Sequence, residues 1–367
     1  MPQDDQGQLL ALSSSPHIRY PDNVSTVMLS VVIALIPALL ASIIFFGIKA
    51  LILTLTCIIF CLLTEWLIAT YLFKQRGTLN DFSALVTALL LAFNLPPDLP
   101  PWMAALGSVF AIGVVKWAFG GLGNNFVNPA LAGRAFLMAS YAAPMTRFSI
   151  PGNWQSRGWT ISGLPQQVLG SLSDKLDGIS GATPLPAFVR IIDALKNEQL
   201  REELNISILD FQEALPDLFI GNIGGCIGET SALALLIGAV YLLYKRIIGF
   251  KIPGSYIGTV FVLSWLFNGT GSLLTTEAFL VPVYQILAGG LMLGALYMAT
   301  DMVTSPITPW GQIYFGVGCG VLTFVIRQFG GYPEGVSYSI LLMNLVAPLI
   351  DRYTRPRLYG KAGLKRG

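Results

Sequence analysis

Ten apolar segments run through this chain, and they leave little choice of fold. They are 24–46, 49–71, 82–95, 102–119 and 126–143, then 222–244, 254–268, 279–299, 310–326 and 335–350. A bilayer core is crossed by roughly 20 apolar helical residues, so most of these segments approach the length of a span. Charged residues make up only 11% of the chain, against about 25% in soluble proteins. Too few remain to cover a water-facing surface of this size. We expect an all-α polytopic membrane protein with about ten transmembrane helices.

Segments 82–95 and 254–268 are short, and the first runs into Asn94-Leu95-Pro96-Pro97-Asp98. Both are expected to be broken or re-entrant helices, tolerated where protein or a cavity covers the freed backbone. Between the fifth and sixth segments lies a polar insertion, 144–221. It holds six basic and nine acidic residues and an amphipathic stretch from Pro186 to Leu204. The expected organisation is a cytoplasmic N-terminus (1–23), a first membrane half (24–143), the insertion, a second half (222–350) and a basic tail (351–367).

Orientation follows from lysine and arginine in short loops. With the N-terminus inside, the inner side holds Arg19, Lys74, Arg76, Lys116, Arg134, Lys245, Arg246, Lys251 and the six basic residues of the tail. The short outer loops hold only Lys49 and Arg327. Both termini are therefore expected in the cytoplasm and the insertion outside it. A weak internal repeat supports the count. Pro101-Trp102 opens a segment that ends in Lys116-Trp117-Ala118-Phe119-Gly120-Gly121. Pro309-Trp310 opens one that ends in Arg327-Gln328-Phe329-Gly330-Gly331. Lys116 falls inside and Arg327 outside, as two inverted five-helix repeats require.

Several chemistries are disfavoured. No C-x-x-C pair exists among Cys57, Cys61, Cys226 and Cys319, which argues against an iron–sulfur cluster held by this chain alone. His17 is the single histidine, so two-histidine haem ligation is excluded. No basic tract carries interleaved aromatics, which argues against nucleic acid. An organic redox cofactor is left open.

The insertion carries Asp177-Gly178-Ile179-Ser180-Gly181-Ala182-Thr183-Pro184. Small residues at Gly181 and Ala182 leave room for a bulky group on the Thr183 hydroxyl, and Asp177 is placed to orient that hydroxyl or to hold a metal during attachment. By composition alone the stretch reads equally as a surface turn. Asp-x-x-Ser-Gly-Ala-Thr resembles the flavinylation motif of membrane subunits in the Rnf and Na⁺-translocating NADH:quinone reductase complexes. The resemblance extends over nearly the whole chain, through Ser14-Ser15-Pro16-His17, Asp81–Thr87, Gly121–Leu131, Gly228-Glu229-Thr230-Ser231, Asp301–Pro306 and Tyr332–Val336. The short N-terminus and its Ser-Ser-Pro-His resemble the D-type component of Rnf. Asn125-Phe126-Val127-Asn128-Pro129 leans towards the B-type component of the quinone reductase or towards more distant Rnf relatives.

That resemblance implies covalent FMN, joined through its phosphate to Thr183 by a flavin transferase within a motif of Asp177, Ser180, Gly181 and Ala182. It implies an electron-transfer component of an ion-translocating oxidoreductase in the inner membrane, with no complete active site in this chain. The implied partners are the other Rnf subunits, including a second flavinylated one. The quinone-reductase relative adds a second, non-covalent flavin such as riboflavin. A non-redox transporter with inverted repeats is the rival reading.

Glu65, Glu229, Asp301, Glu334 and Asp351 lie in or at the ends of apolar segments and are candidates for an ion pathway, because charge in a bilayer usually has a partner or a task. Lys116 and Arg134 are plausible partners. Interfacial snorkelling is the plainer expectation for Lys116, Arg327 and Asp351. The glycine-rich runs 120–123 and 221–228 lack the Gly-Lys-Ser/Thr of a phosphate loop. Close helix packing is expected of them, with binding of the second flavin as the alternative.

Overall fold

A computed structural model describes residues 23–75, 78–147, 215–221, 223–268, 276–330 and 335–355. Among these residues all regular structure is helical. The main helices are α1 (Val24–Phe46), α2 (Ile48–Leu67), α3 (Ser83–Phe93), α4 (Pro101–Val109) and α5 (Pro129–Ser140). After the insertion come α6 (Ala232–Tyr244), α7 (Lys251–Asn268), α8 (Thr276–Leu287), α9 (Leu291–Leu293), α10 (Pro309–Phe329) and α11 (Val336–Thr354). Three helices run on or close in wider π turns: α2 through Ile68–Leu72, α4 through Phe110–Trp117 and α9 through Gly294–Met298.

Three described helices are long and apolar enough to cross a membrane: Val24–Phe46, Ile48–Leu72 and Pro309–Phe329. The pair Phe279–Leu287 and Leu291–Met298 makes a fourth if its two limbs, bent by 71°, count as one span. The molecule is a helical membrane protein.

The sequence explains where the helices start. Pro101, Pro129 and Pro309 each sit in the first turn of their helix, where the missing N–H has no intrahelical partner to lose. Asn128 accepts from the amides of Ala130 and Leu131, Ser231 from that of Ala234, and Thr308 from that of Gly311. Each cap satisfies donors that a helix end would otherwise strand in the apolar phase.

Helix α1 shows how the core is built. Its buried positions are Ser30, Ala34, Leu35, Ala38, Ser42 and Phe45, while Leu29, Ile33, Ile36, Leu40 and Ile44 face outward. Mostly small side chains line the inner stripe and large apolar ones the outer. Lipid offers no hydrophobic gain for helix association, so close backbone approach has to supply it. At the α1–α6 contact a Cβ on Gly238 would lie 1.9 Å from the carbonyl oxygen of Ala34. Tyr297 passes its hydroxyl into the same contact and donates to the Leu235 carbonyl at 2.8 Å. Helices α1 and α6 pack on one another, as do α5 and α11, while α2 packs on α3 and α4, and α7 on α8 and α10.

The two segments expected to be interrupted behave differently. Helix α3 stops at Phe93, and residues 94–100 turn without regular structure. Segment 254–268 instead belongs to the unbroken helix α7, because Pro253 falls in its first turn. Segment 279–299, which reads as continuous, is broken at 288–290, where Gly289 takes a φ of +71°. Segment 222–244 is helical only from Ala232.

Candidate functional site

The flavinylation stretch, with Asp177, Ser180, Gly181, Ala182 and Thr183, lies outside the described residues, as does Glu334. The structure places the remaining candidates in three groups.

The first group lies at the centre, where residues 94–95 after α3 cross residues 226–229 before α6. The Ile227 amide donates to the Leu95 carbonyl at 2.9 Å and the Gly228 amide to the Phe93 carbonyl at 3.0 Å. Gly228 is required by this crossing, since a Cβ there would stand 2.3 Å from Phe93. Arg134, from the middle of α5, enters the junction. Its Nη1 donates to Asn94 Oδ1 at 2.8 Å, Ser337 Oγ at 3.0 Å and Glu229 Oε1 at 3.3 Å. Nη2 reaches Cys226 Sγ at 3.8 Å. Arg134, Asn94, Glu229, Cys226 and Ser337 are all buried. The α8–α9 break packs against Glu229, where a Cβ on Gly290 would stand 2.5 Å from Oε1.

The second group is a buried ion pair between α2 and the π turns after α4. Lys116 Nζ meets the two carboxylate oxygens of Glu65 at 2.8 and 2.7 Å and Ser83 Oγ at 2.7 Å. Ser83 in turn donates from amide and hydroxyl to Asp81 at 2.8 and 2.6 Å. Lys116 and Glu65 are 2% and 1% exposed. Lys116 is therefore no snorkelling residue, and neither it nor Arg134 counts as an inner-loop charge.

Arg327 is buried as well, at 4% exposed. It donates to the carbonyls of Gln285 and Ala288 at 2.6 and 3.3 Å, covering the C-terminal end of α8 where the broken helix strands its acceptors. Snorkelling fails here for the same reason as at Lys116: the side chain turns inward to a specific partner, in this case backbone oxygens.

The third group is at the ends of helices. Asp301 accepts from the Val303 amide at 3.3 Å and the Thr304 hydroxyl at 3.1 Å. Enclosure pushes its carboxyl above the ordinary range, and those two donors draw it back. Asp351 accepts from the amides of Ile307 and Thr308 at 3.1 and 3.3 Å and from the Thr308 hydroxyl at 3.3 Å. It thus fastens the α9–α10 loop to α11. Both aspartates serve as loop caps.

Between the halves lies a cleft, with a cavity of about 90 Å³. Val27, Val31, Val86 and Leu90 give it apolar walls, and Ser83, Lys116, Asn125, Asn128, Thr300 and Asp301 give it polar edges. Met298 connects one of its lining residues with the junction: Asn94 donates to Met298 Sδ at 3.5 Å and Asn128 to the Met298 carbonyl at 3.4 Å. The glycine-rich runs are not themselves helical, and of their close packing against helices Gly228 on the end of α3 is the clear case. Gly120, Gly121 and Gly123 take φ of +109°, +89° and +92° in a loop, and 223–228 is the irregular stretch of the crossing.

Sequence reasoning found Lys116 and Arg134 as partners for buried acids but did not match them to Glu65 and Glu229. It missed Asn94, Ser83, Ser337 and the inward turn of Arg327. Asn94 was visible, standing directly before Leu-Pro-Pro, where a helix must end. Ser337 carries no local signal.

Residues 11–360 match the family described as the NQR2, RnfD, RnfE family. Over 359 residues the chain is 44% identical to the D-type component of the Na(+)-translocating ferredoxin:NAD(+) oxidoreductase complex of Acetobacterium woodii, covering 97% of each chain. It is 43% identical to the corresponding component of the proton-translocating ferredoxin:NAD(+) oxidoreductase complex of Clostridium ljungdahlii, over 96% of each. Against that of the ion-translocating oxidoreductase complex of Escherichia coli it is 37% identical, over 95% of this chain and 98% of that one. With a match across nearly its full length and relatives well above the level at which families are recognised, this chain belongs to the NQR2, RnfD, RnfE family.

Proposed function

We propose that this protein is the D-type component of an ion-translocating ferredoxin:NAD⁺ oxidoreductase complex and carries FMN on Thr183. The observation that carries this reading is the Asp177–Thr183 motif in a chain whose relatives are named as subunits of such complexes. Bound FMN supplies one- and two-electron redox chemistry. The chain's own part is to tether and position. Thr183 Oγ carries the phosphoester, Gly181 and Ala182 leave the bond accessible to a flavin transferase, and Asp177 and Ser180 complete the motif that enzyme reads. Thr183 takes no part in turnover.

The ten apolar segments form, in this proposal, two inverted halves in the inner membrane, with both termini cytoplasmic and the insertion outside. The paired contacts of α1 with α6 and of α5 with α11 support that arrangement, since each joins equivalent segments of the two halves. A second, non-covalent flavin such as riboflavin would need the cleft between the halves to widen, because its cavity of about 90 Å³ is below the roughly 300 Å³ at which small-molecule sites begin. The cleft's apolar walls fit ring faces, and Asn125, Thr300 and Asp301 offer partners to a polar heterocycle edge. Other members of the complex, one of them also flavinylated, supply and accept the electrons.

In-gel flavin fluorescence of the denatured protein, expressed with a flavin transferase, tests the tether. The wild-type band is expected to fluoresce and Thr183→Ala to be dark. A dark wild-type band would remove the flavin, and a fluorescent Thr183→Ala band would move it elsewhere. The relatives named for Na⁺ and for protons are almost equally similar to this chain. The coupling ion is therefore a matter for transport measured with Na⁺ present and absent.

A further inference from the structure

At the end of α6 an outward apolar face stops at a group of uncovered cations. Leu233, Ile237, Val240 and Tyr244 recur three and four residues apart, so they form one stripe, and their exposure rises along it from 41% to 84%. Lys245 and Arg246 follow at once, both exposed. The next turn, Ile247-Ile248-Gly249, lines a hollow of about 260 Å³, to which Ser305 and Gln312 bring a hydroxyl and an amide. Lys251 lies between the lining residues Gly249 and Ile252. Arg352 and Arg355 belong to the opposite rim, because α11 is fastened there: Asp351 accepts from the amides of Ile307 and Thr308, and Thr354 meets the Thr308 hydroxyl. All five cations are exposed. Among the described residues the ion pairs are Lys49–Asp98, Lys116–Glu65 and Arg134–Glu229, so none of the five is neutralised. The acids on these stretches, Asp301 and Asp351, already accept from backbone amides. Phe250, Ile307 and Tyr353 stand beside the cations and are among the most exposed large apolar side chains. Cations over a band of exposed aromatics mark the level of the lipid headgroups.

We propose that this face binds an anionic phospholipid, its phosphate over the hollow among Lys245, Arg246, Lys251, Arg352 and Arg355 and an acyl chain along the α6 stripe. Basic pockets between transmembrane helices lodge headgroups of this kind. The hollow falls short of the roughly 300 Å³ of an ordinary small-molecule site, which suits a phosphate whose chains stay outside. The stripe supplies the surface for a chain: from Leu233 to Tyr244 it runs about 16 Å at 1.5 Å per residue. An acidic protein surface would match the cations but leave that stripe without a purpose.

The test is a photocrosslink from the rim of the hollow, made in the whole complex reconstituted into phosphatidylcholine vesicles with and without phosphatidylglycerol. Ile307→benzoylphenylalanine places the reactive ketone, and mass spectrometry of this chain reads the adduct. Phosphatidylglycerol is expected on the chain in excess of its share of the vesicle. Lys245→Gln, Arg246→Gln and Lys251→Gln together are expected to cut that excess about tenfold or more, because each removes one cation facing the phosphate. Lys245→Arg with Lys251→Arg keeps the charge and is expected to keep the excess. If the triple variant does not assemble, Lys251→Gln alone reads the same effect at smaller amplitude. Adducts that follow the bulk lipid composition, or that are indifferent to the neutral variants, would reduce the face to ordinary lipid contact and overturn the site. A crosslink to another subunit would overturn it in favour of a protein interface.

Discussion

At the scale of single residues, the buried cations Lys116, Arg134 and Arg327 are each held by specific partners. Lys116 is met by Glu65 and Ser83, Arg134 by Glu229, Asn94 and Ser337, and Arg327 by two carbonyls. Removing one partner of a buried pair leaves the other unpaired at a cost of about 3–5 kcal/mol. Lys116→Met is therefore expected to lower the melting temperature of the detergent-solubilised complex sharply. The double variant with Glu65→Leu should recover most of the loss, because two well-packed apolar residues leave no stranded charge. A double variant no more stable than Lys116→Met would show that the pair does something besides neutralise itself. Asp351→Ala has a different expected signature. It loses the cap on Ile307 and Thr308, about 1 kcal/mol by comparison with helix caps, and should free the α9–α10 loop in hydrogen exchange while α7 stays protected. The partners of these acids were half legible in the sequence. Lysine and arginine in apolar surroundings announce a need, but hydropathy does not say which acid, 51 or 95 residues away, will meet it.

At the scale of elements, starts are better written than breaks. Proline in the first turn and Asn, Ser or Thr at the cap mark α4, α5, α6 and α10 plainly. The end of α3 at Asn94-Leu95-Pro96-Pro97 is equally plain, because proline cannot continue the ladder. The bend at 288–290 is not. Its Ala-Gly-Gly lies in an unbroken apolar run, and a hydropathy profile is blind to a positive φ at Gly289. The same blindness hid the non-helical start of segment 222–244. Close approach is a further element-scale property that composition conceals. Gly238 is one glycine among 38, yet α1 passes within a backbone diameter of it. Gly238→Val is expected to push α1 and α6 apart and to lose the Tyr297–Leu235 hydrogen bond. A fall in assembled complex, with Gly238→Ala less severe than Gly238→Val, would be the observed grade; equal yields of both variants and wild type would deny the contact its importance.

At the scale of the whole molecule, the ten apolar segments and the family were legible before any coordinate, while the way the halves meet was not. Side choice is decided by labelling. Cysteine placed at Asp98 is expected to react with a membrane-impermeant maleimide in intact spheroplasts, and cysteine at Lys245 only after lysis. The opposite pattern would invert the proposed topology. The arrangement of buried charge also constrains how the chain is made. Arg134 is synthesised 95 residues ahead of Glu229, which at ribosomal speed is roughly 5–20 s. Through that interval α5 has emerged without the Glu229 carboxylate for its guanidinium, and the long insertion, in the proposed topology, must cross the membrane before that carboxylate arrives. The first half is thus a biosynthetic intermediate that cannot be released into lipid as a finished piece. Its residence in the insertion machinery should end once residues 226–229 reach α5, so that the Arg134 junction first serves as the signal that the two halves have both been made.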